Sequence, residues 1–271
     1  MKAFFQKAAV YLAAAAVCGV LALLTGYILV RGLPHLRWSL FSWSYSSENR
    51  TLLPAAINTL SVVALTLVLA LPVGIGGAVW LTEYARRGSL LVRAVRMAAQ
   101  VLAGIPSIVY GLFGYLAFVL VCGLGNSLLS GALTLAIMVL PTLLRATQEA
   151  LGNVPDALRE SSYAMGAGKS RTVFRVILPA AAPGILSGVI LSVGRIFGET
   201  AALIYTAGTV TGVADGLLGS GRTLAVHLYC LLNEGLFLDD AFATAAVLLA
   251  AVAGVNALSD AVVKRMAAKY S

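Results

Sequence analysis

Two charged residues, Arg195 and Glu199, are the only charges in the stretch between Arg175 and Asp215. On one helix, their spacing of four residues places both side chains on the same face, where they can pair. A charge at the centre of a membrane costs about 2.5–3.5 kcal/mol on insertion scales, so such residues usually face a polar interior or a substrate path. The fork of a guanidinium matches an oxyanion. The pair therefore indicates either an anion path or a structural ion pair that fixes helix packing.

Glu199 needs an explanation of its own, because a lone carboxylate repels an anion. It would either hold Arg195 in place while the path is empty or accept a hydrogen bond from a protonated substrate oxygen. Phosphate keeps a P–OH group near neutral pH, whereas sulfate does not. The second alternative therefore favours phosphate over sulfate.

The same stretch contains two G-x-x-x-G steps, Gly184 with Gly188 and Gly194 with Gly198. Small residues at this spacing let a second helix approach closely. They also leave room for a passing solute. Both alternatives stay open for each step.

The composition explains where these residues lie. Of the 271 residues, 60% are apolar and only 11% are charged, against about 25% charged residues in an ordinary soluble domain. A soluble fold of this size cannot cover so much apolar surface. The composition excludes a cytosolic enzyme, a secreted disulfide scaffold and a disordered chain, and it indicates a polytopic membrane protein.

An intramembrane enzyme would need a nucleophile with a base, or paired metal ligands, within the spans. The three scattered cysteines, Cys18, Cys122 and Cys230, and the single His227 form no such set. We therefore expect no enzymatic activity, no metal and no cofactor. A receptor whose cytoplasmic loop signals is a further alternative, which copurification with an ATPase would separate from a transporter.

Apolar runs predict six membrane-spanning helices, since about 20 residues cross the hydrocarbon core. Their predicted ranges are 8–30, 51–82, 98–121, 127–145, 182–207 and 241–259. The third and fourth are separated by a predicted turn at residues 123–127. The first is longer than the apolar region of a signal peptide, so we expect an uncleaved helix.

Basic residues predict the orientation of the spans. Two lie in the amino-terminal tail, four in the loop after the second span, five in the loop after the fourth and three in the carboxyl-terminal tail, which makes 14 on one side against four on the other. Cytoplasmic loops are enriched in Lys and Arg, so both termini are predicted to be cytoplasmic. The same rule explains the net charge of +8 without nucleic-acid binding.

The loop after the fourth span predicts two short helices. Asn153 can cap the first, which Gly166 would end, and the second would run from Ser170 to Leu178 and stop at Pro179. Such an amphipathic pair fits a groove on another protein. It could equally lie on the membrane surface, with Lys169, Arg171 and Arg175 near acidic lipid.

This loop resembles the coupling loop of bacterial ABC-importer permeases, which reads EAA, three residues, G, nine residues, I, one residue, LP. The matching residues are Glu160-Ser161-Ser162, Gly166 followed by Ala167, Val176, and Leu178-Pro179. Serine replaces both alanines and valine replaces isoleucine. The resemblance implies a loop over residues 149–179 that docks on an ATP-hydrolysing partner subunit, so this chain would not hydrolyse ATP itself.

Two further stretches resemble the phosphate-specific permeases of this family. Residues 194–201 (GRIFGETA) match an R-x-x-G-E-T signature, and residues 104–114 (GIPSIVYGLFG) match G-[IV]-P-S-I-V-Y-G-L-F-G. Glu83-Tyr84 after the second span also fits. Residues 222–227 and the six spans are more similar to the PstA type than to the PstC type.

The resemblance implies an all-α, MetI-like permease of the bacterial inner membrane. It covers residues of about 54–262, with the first helix, 8–30, peripheral to a single integral domain, 1–271. Arg195 and Glu199 would be the charges of the substrate path, with Thr200 beside them. The implied partners are inorganic phosphate, a PstC-type permease, a PstB-type ATPase dimer and a PstS-type binding protein. The alternative is a permease for another oxyanion, such as sulfate or molybdate.

Overall fold

The computed structural model describes residues 2–43, 50–86, 88–235 and 237–270, and these residues form helices and loops without a strand. The all-α fold predicted from the sequence is confirmed. The helices are α1 (Lys2–Gly32), α2 (Leu53–Val79), α3 (Leu90–Ala103), α4 (Ser107–Gly114), α5 (Leu128–Gly152), α6 (Asp156–Ala164), α7 (Lys169–Thr172), α8 (Leu178–Phe197), α9 (Ala201–Thr206), α10 (Leu224–Glu234) and α11 (Leu238–Tyr270). Three π-helical turns extend or join them, at Trp80–Tyr84, Tyr115–Val121 and Val173–Ile177.

Within the described residues, five helices are long and apolar enough to cross a membrane, and one bent pair of helices could form a sixth span. The five are Ala9–His35, Leu53–Tyr84, Leu128–Gly152, Lys169–Phe197 and Leu238–Val263, and the pair is Leu90–Ala103 with Ser107–Val121. Six spans were predicted, and each predicted range overlaps one of these. Arg87, one of the basic residues that predict the orientation, lies outside the described residues.

The third span is not the single helix predicted for residues 98–121. It bends by 105° between Ala103 and Ser107. Pro106 has no N–H to donate and disfavours helical backbone at Ile105, so the helix stops there. The hydroxyl of Tyr110 donates to the carbonyl of Leu102 at 2.8 Å and satisfies an acceptor near the end of α3. The predicted turn at 123–127 is confirmed, with Ser127 accepting from the backbone N–H of Ser130 at the start of α5.

The fifth span also differs from its predicted range, 182–207. It begins earlier, at Lys169, and ends at Phe197, and a break at residues 198–200 separates it from α9. The predicted second loop helix therefore does not stop at Pro179 but continues into the span. The π-helical turn Val173–Ile177 lies directly before that proline, and such local widening accommodates a residue that lacks an N–H.

The centre of the fold lies along α5. Its side chains Leu135, Val139 and Leu143 are fully buried against α2, α8 and α9. In contrast, the apolar part of α1 is exposed, and that helix touches α11 through an edge-to-face contact of Tyr27 with Phe242, whose ring centroids are 5.6 Å apart.

We call the end of the bundle that carries residues 149–179 the loop end, and the opposite end the far end. At the far end, the segment 207–222 between α9 and α10 is bound to the start of α2. The amide of Asn58 donates to the carbonyls of Gly212 and Arg222, at 2.9 and 3.2 Å, and its oxygen accepts from the N–H of Ala214 at 3.0 Å. The side chain of one residue therefore fixes the middle and the last residue of this segment.

Candidate functional site

Arg195 lies in the last turn of α8, on the exposed side of that helix. The exposed residues Ser187, Leu191, Arg195 and Gly198 follow one another at helical spacing, and we call this surface the open face of α8. The opposite side, which includes Ser192 and Ile196, is buried. The guanidinium is therefore directed away from the packed body of this chain, although it belongs to an apolar span.

Glu199 lies beyond the end of α8 and does not pair with Arg195. Its side chain is buried, and its Oε1 accepts a hydrogen bond from the backbone N–H of Ala202 at 3.2 Å. It therefore satisfies a free N–H in the first turn of α9. The expectation that the two charges share one helical face is wrong here, because the helix ends at Phe197 between them, and within the described residues no ion pair joins them.

A polar group of another helix lies beside the residue that precedes Arg195. The side-chain oxygen of the exposed Asn256, on α11, lies 3.7 Å from the position that a Cβ on Gly194 would take. Thr200 is half-buried, and its hydroxyl is 3.4 Å from the carbonyl of Gly198. Sequence reasoning missed Asn256, since a single asparagine in an apolar run carries no motif.

The fold brings together the two stretches that carry the phosphate-permease resemblance. In residues 104–114, α4 packs against α9, which directly follows the 198–200 break. A Cβ on Gly111 would lie 2.8 Å from the Cα of Ala202, closer than real Cβ contacts. Glycine at 111 therefore allows the two helices to touch through their backbones. The broken third span and the broken fifth span support each other at this point.

At the loop end, α6 and α7 are joined by a tight turn. Gly166 has φ of +78°, the left-handed conformation that ends a helix and that glycine adopts without strain. The Ser162 hydroxyl is 2.8 Å from that of Thr172, and the N–H of Ala167 donates to the carbonyl of Ser162 at 3.1 Å. Three of the predicted coupling residues, Ser162, Gly166 and Ala167, thus shape the turn itself.

The other predicted coupling residues lie in two different places. Glu160 and Ser161 are exposed on α6, whereas Leu178 and Pro179 are half-buried where α8 enters the bundle. None of the residues of α6 is buried. Around the turn, large apolar side chains are exposed, and these are Leu158, Tyr163 and Met165, the last of them 87% exposed. The predicted cap is not formed, because Pro155 occupies the N-cap position and Asn153 instead ends α5.

Arg159 is a structural residue that sequence reasoning missed. Its guanidinium donates to Glu83 Oε1 at 2.8 Å and to Asp156 Oδ1 at 3.0 Å. It also donates to the carbonyls of Leu151 and Val154, at 2.9 and 2.8 Å. The hydrogen bond to Glu83 is the main reason that the pKa of Arg159 is raised above its ordinary value. No local pattern could reveal this contact, because Glu83 and Arg159 are 76 residues apart.

Comparison with protein families identifies the architecture. Residues 70–271 match the model of the family described as "Binding-protein-dependent transport system inner membrane component". Among solved structures, the match to a chain of a bacterial alginate ABC transporter, in complex with an alginate pentasaccharide-bound periplasmic protein, covers 96% of both chains with a TM-score of 0.66 at 18% identity. The MetNI methionine transporter covers 89% of this chain and 96% of its own, with a TM-score of 0.57 at 21% identity. The MetI-like fold predicted from the resemblance is confirmed.

Relatives with higher identity carry more specific names. The probable ABC transporter permease YqgI of Bacillus subtilis is 33% identical over 84% of this chain and 82% of its own length. The phosphate transport permease PstA of Mycobacterium leprae is 34% identical over 74% of this chain and 67% of its own. PstA 1 of Mycobacterium tuberculosis H37Rv is 38% identical over 66% of this chain, and the match spans only 58% of that protein. The resemblance to PstA-type permeases seen in the motifs is thus confirmed across most of the chain. The chain belongs to the family of binding-protein-dependent transport system inner-membrane components, and it is a multi-pass permease subunit of an ABC importer.

Proposed function

We propose that this chain is the PstA-type permease of a phosphate importer and that the open face of α8 lines the phosphate path. The observation that carries the proposal is the position of Arg195. It is exposed in an apolar span and, within the described residues, forms no ion pair. A guanidinium in lipid is costly, so this face requires either water or a second subunit. An anion path between two permeases supplies both.

The substrate is inferred from sequence similarity and from the chemistry of Arg195. The relatives named PstA are phosphate transport permeases, and residues 194–201 carry the phosphate-permease signature. The chemistry agrees, since a guanidinium fork binds two oxygens of a tetrahedral anion. Arg195, with Thr200 and Glu199 at the adjacent break, forms the proposed substrate path. Glu199 acts here by capping α9, which holds the break in place.

The proposed partners follow from the two ends of the bundle. At the loop end, the exposed apolar side chains around Gly166 suit the groove of a cytoplasmic ATPase of the PstB type. Glu160 and Ser161 face outward for that contact, and Leu178 and Pro179 connect it to α8. At the far end, a PstS-type binding protein delivers phosphate, and a PstC-type permease supplies the other wall of the path. ATP hydrolysis belongs to the partner.

The orientation is part of the proposal. The excess of Lys and Arg, 14 residues against four, supports a cytoplasmic location of the loop end and both termini by the positive-inside rule. The chain then forms one integral domain in which α1 is peripheral. In this arrangement, closure of the ATPases displaces the loop and opens the substrate path to the outer side of the membrane, which gives alternating access.

The test is uptake of radiolabelled phosphate by vesicles that contain the complete importer, with sulfate and molybdate as competitors. We expect phosphate uptake to depend on ATP and on the binding protein. Neither competitor should reduce it, and an ATPase should copurify with the permease. Uptake of sulfate or molybdate in place of phosphate would contradict the substrate and favour a different oxyanion. Failure of an ATPase to copurify would contradict the transport assembly itself.

A further inference from the structure

The first coupling helix, α6, is not held in place by packing. None of its nine residues is buried, so the helix gains little from apolar contact with the bundle. A surface helix of this length is not stable on its own. A docking element that transmits force must nevertheless be attached firmly to what it moves. The attachment therefore has to come from specific polar contacts.

Arg159 supplies that attachment and directs it to a helix that is distant in sequence. It donates to Glu83 at 2.8 Å, and the two side chains are only 16% and 8% exposed. Glu83 belongs to the π-helical turn Trp80–Tyr84, which ends the second span. The guanidinium also donates hydrogen bonds to the carbonyls of Leu151 and Val154, at the end of α5. One arginine thus joins α6, α5 and the second span.

The next residue of the same turn contacts the second coupling helix. The ammonium of Lys169, at the start of α7, lies 5.1 Å from the centre of the Tyr84 ring. That distance is within the range of a cation–π interaction. Glu83 therefore contacts α6, and Tyr84 contacts α7. Neither contact is made through the backbone connections of the loop to α5 and α8.

We infer that Glu83 and Tyr84 are positioning residues that anchor the coupling loop to the second span and carry its movement into α2. This inference rests on the proposed coupling of the loop to an ATPase. Without the anchor, Val173 and Ile177 of the loop would still share an apolar cluster with Val79 of α2, but α6, which has no residue in that cluster, would lose its attachment to the second span. Movement of the ATPases would then be transmitted incompletely, and hydrolysis would no longer be matched to import.

The test uses the complete importer in vesicles and measures phosphate imported per ATP hydrolysed. Glu83→Gln keeps the shape and an acceptor oxygen but removes the charge. We expect about a tenfold decrease in this ratio, within the range of ordinary coupling between two sites, with the ATPase still bound. Asp156→Asn is the matched control, because it removes a charge from the same arginine at a side chain that is 81% exposed. It should leave the ratio within about twofold.

A double-mutant cycle separates an anchor from general destabilisation. If Glu83 and Arg159 act as one pair, the double variant Glu83→Gln with Arg159→Gln should import as much phosphate per ATP as the single variant with the lower ratio. The inference would be overturned if the decreases in phosphate imported per ATP from the two single substitutions added up in the double variant. A wild-type ratio in Glu83→Gln would also overturn it.

A second pair of variants covers the case in which Glu83→Gln fails to assemble. Tyr84→Leu should lower the ratio about two- to fivefold, since it removes the ring, whereas Tyr84→Phe should not. Equal ratios in these two variants would overturn the inference. Wild-type vesicles that respond to the binding protein with ATP hydrolysis but import no phosphate would contradict the proposed substrate alone. In that case, the anchor would be tested by measuring, in the same Glu83 and Tyr84 variants, how much ATP hydrolysis the binding protein still stimulates.

Discussion

The two G-x-x-x-G steps of α8 have the same spacing and opposite surroundings. A Cβ on Gly184 would lie 2.7 Å from the Cβ of Ala150, and one on Gly188 would collide with the Cβ of Ala146, because α5 packs directly on this step. At Gly194 the nearest atom is the side-chain oxygen of Asn256, at 3.7 Å, and at Gly198 it is the carbonyl of Gly194, at 3.9 Å. The first step is a helix contact and the second faces open space.

The comparison shows that neighbouring residues, rather than spacing, decide what small residues do in a membrane helix. At the closed step, alanines on α5 complement the glycines and the helices approach closely. At the open step, Arg195 follows Gly194 directly and is exposed to the outside of the described part of the chain. Thus α8 is a packing element at the loop end and a candidate wall of the path at its other end.

Matched alanine substitutions test the closed step against the open one. We expect Gly188→Ala to lower the stability of the purified complex by about 1–3 kcal/mol, because the added methyl overpacks the contact with Ala146. Gly194→Ala should be neutral or slightly stabilising, since alanine is about 1 kcal/mol better than glycine inside a helix. Thermal unfolding in detergent measures both. If both variants lost the same amount of stability, the two G-x-x-x-G steps would not differ in packing.

A second pair of glycines extends the comparison to the proposed coupling loop. Gly166 has φ of +78°, whereas Gly168 has φ of −71°, and neither has a neighbour that a Cβ would meet. We expect Gly166→Val to cost about 1–2 kcal/mol locally and to uncouple ATP hydrolysis from import. Gly168→Val should preserve coupling. Assays of import and ATPase activity in the same vesicles decide this, and unchanged coupling in Gly166→Val would show that the shape of the turn is unimportant.

Arg195→Lys tests whether the open face needs the shape of the guanidinium or only its charge, because lysine keeps the positive charge and lacks the two-pronged donor group. We expect import to fall about tenfold, which corresponds to about 1.4 kcal/mol, while stability stays unchanged at this exposed position. Initial rates of phosphate uptake measure the effect. Wild-type rates would mean that only the positive charge matters.

The smallest expected effect concerns Glu199, the cap of α9. Glu199→Gln keeps an oxygen that can accept from the N–H of Ala202, so stability should change by less than about 1 kcal/mol. Glu199→Ala removes the acceptor and should cost about 1 kcal/mol. Thermal unfolding of the two variants is the measurement. A larger loss in the glutamine variant would indicate that the charge of Glu199 has a partner other than α9.

The sequence predicted those features that depend on local composition. The apolar runs predict the five candidate spans and the bent pair of helices, and Gly166 marks the end of α6. The break before Ser107 could have been read from Pro106, since a proline restricts the residue before it. The apolar run alone predicts one helix over residues 98–121, which the bend divides.

Other features depend on contacts between distant residues and could not be predicted. The break after Phe197 is maintained by the cap at Glu199 and by the contact of Gly111 with Ala202. The ion pair of Glu83 with Arg159 joins the end of the second span to α6, and no local sequence pattern links the two. The passage of a helix through Pro179 requires the π-helical turn before it. In each case the local sequence allows several conformations, and tertiary packing selects one.

The most direct test of the central claim is phosphate uptake by Arg195→Gln compared with wild type, in vesicles where the whole importer is shown to be assembled. Because Arg195 is exposed and forms no ion pair within the described residues, its loss should not affect folding. We predict that uptake decreases at least about tenfold, on the scale of an anion contact made by an arginine, while ATPase association is retained. Uptake at the wild-type rate would show that the path does not pass along the open face of α8.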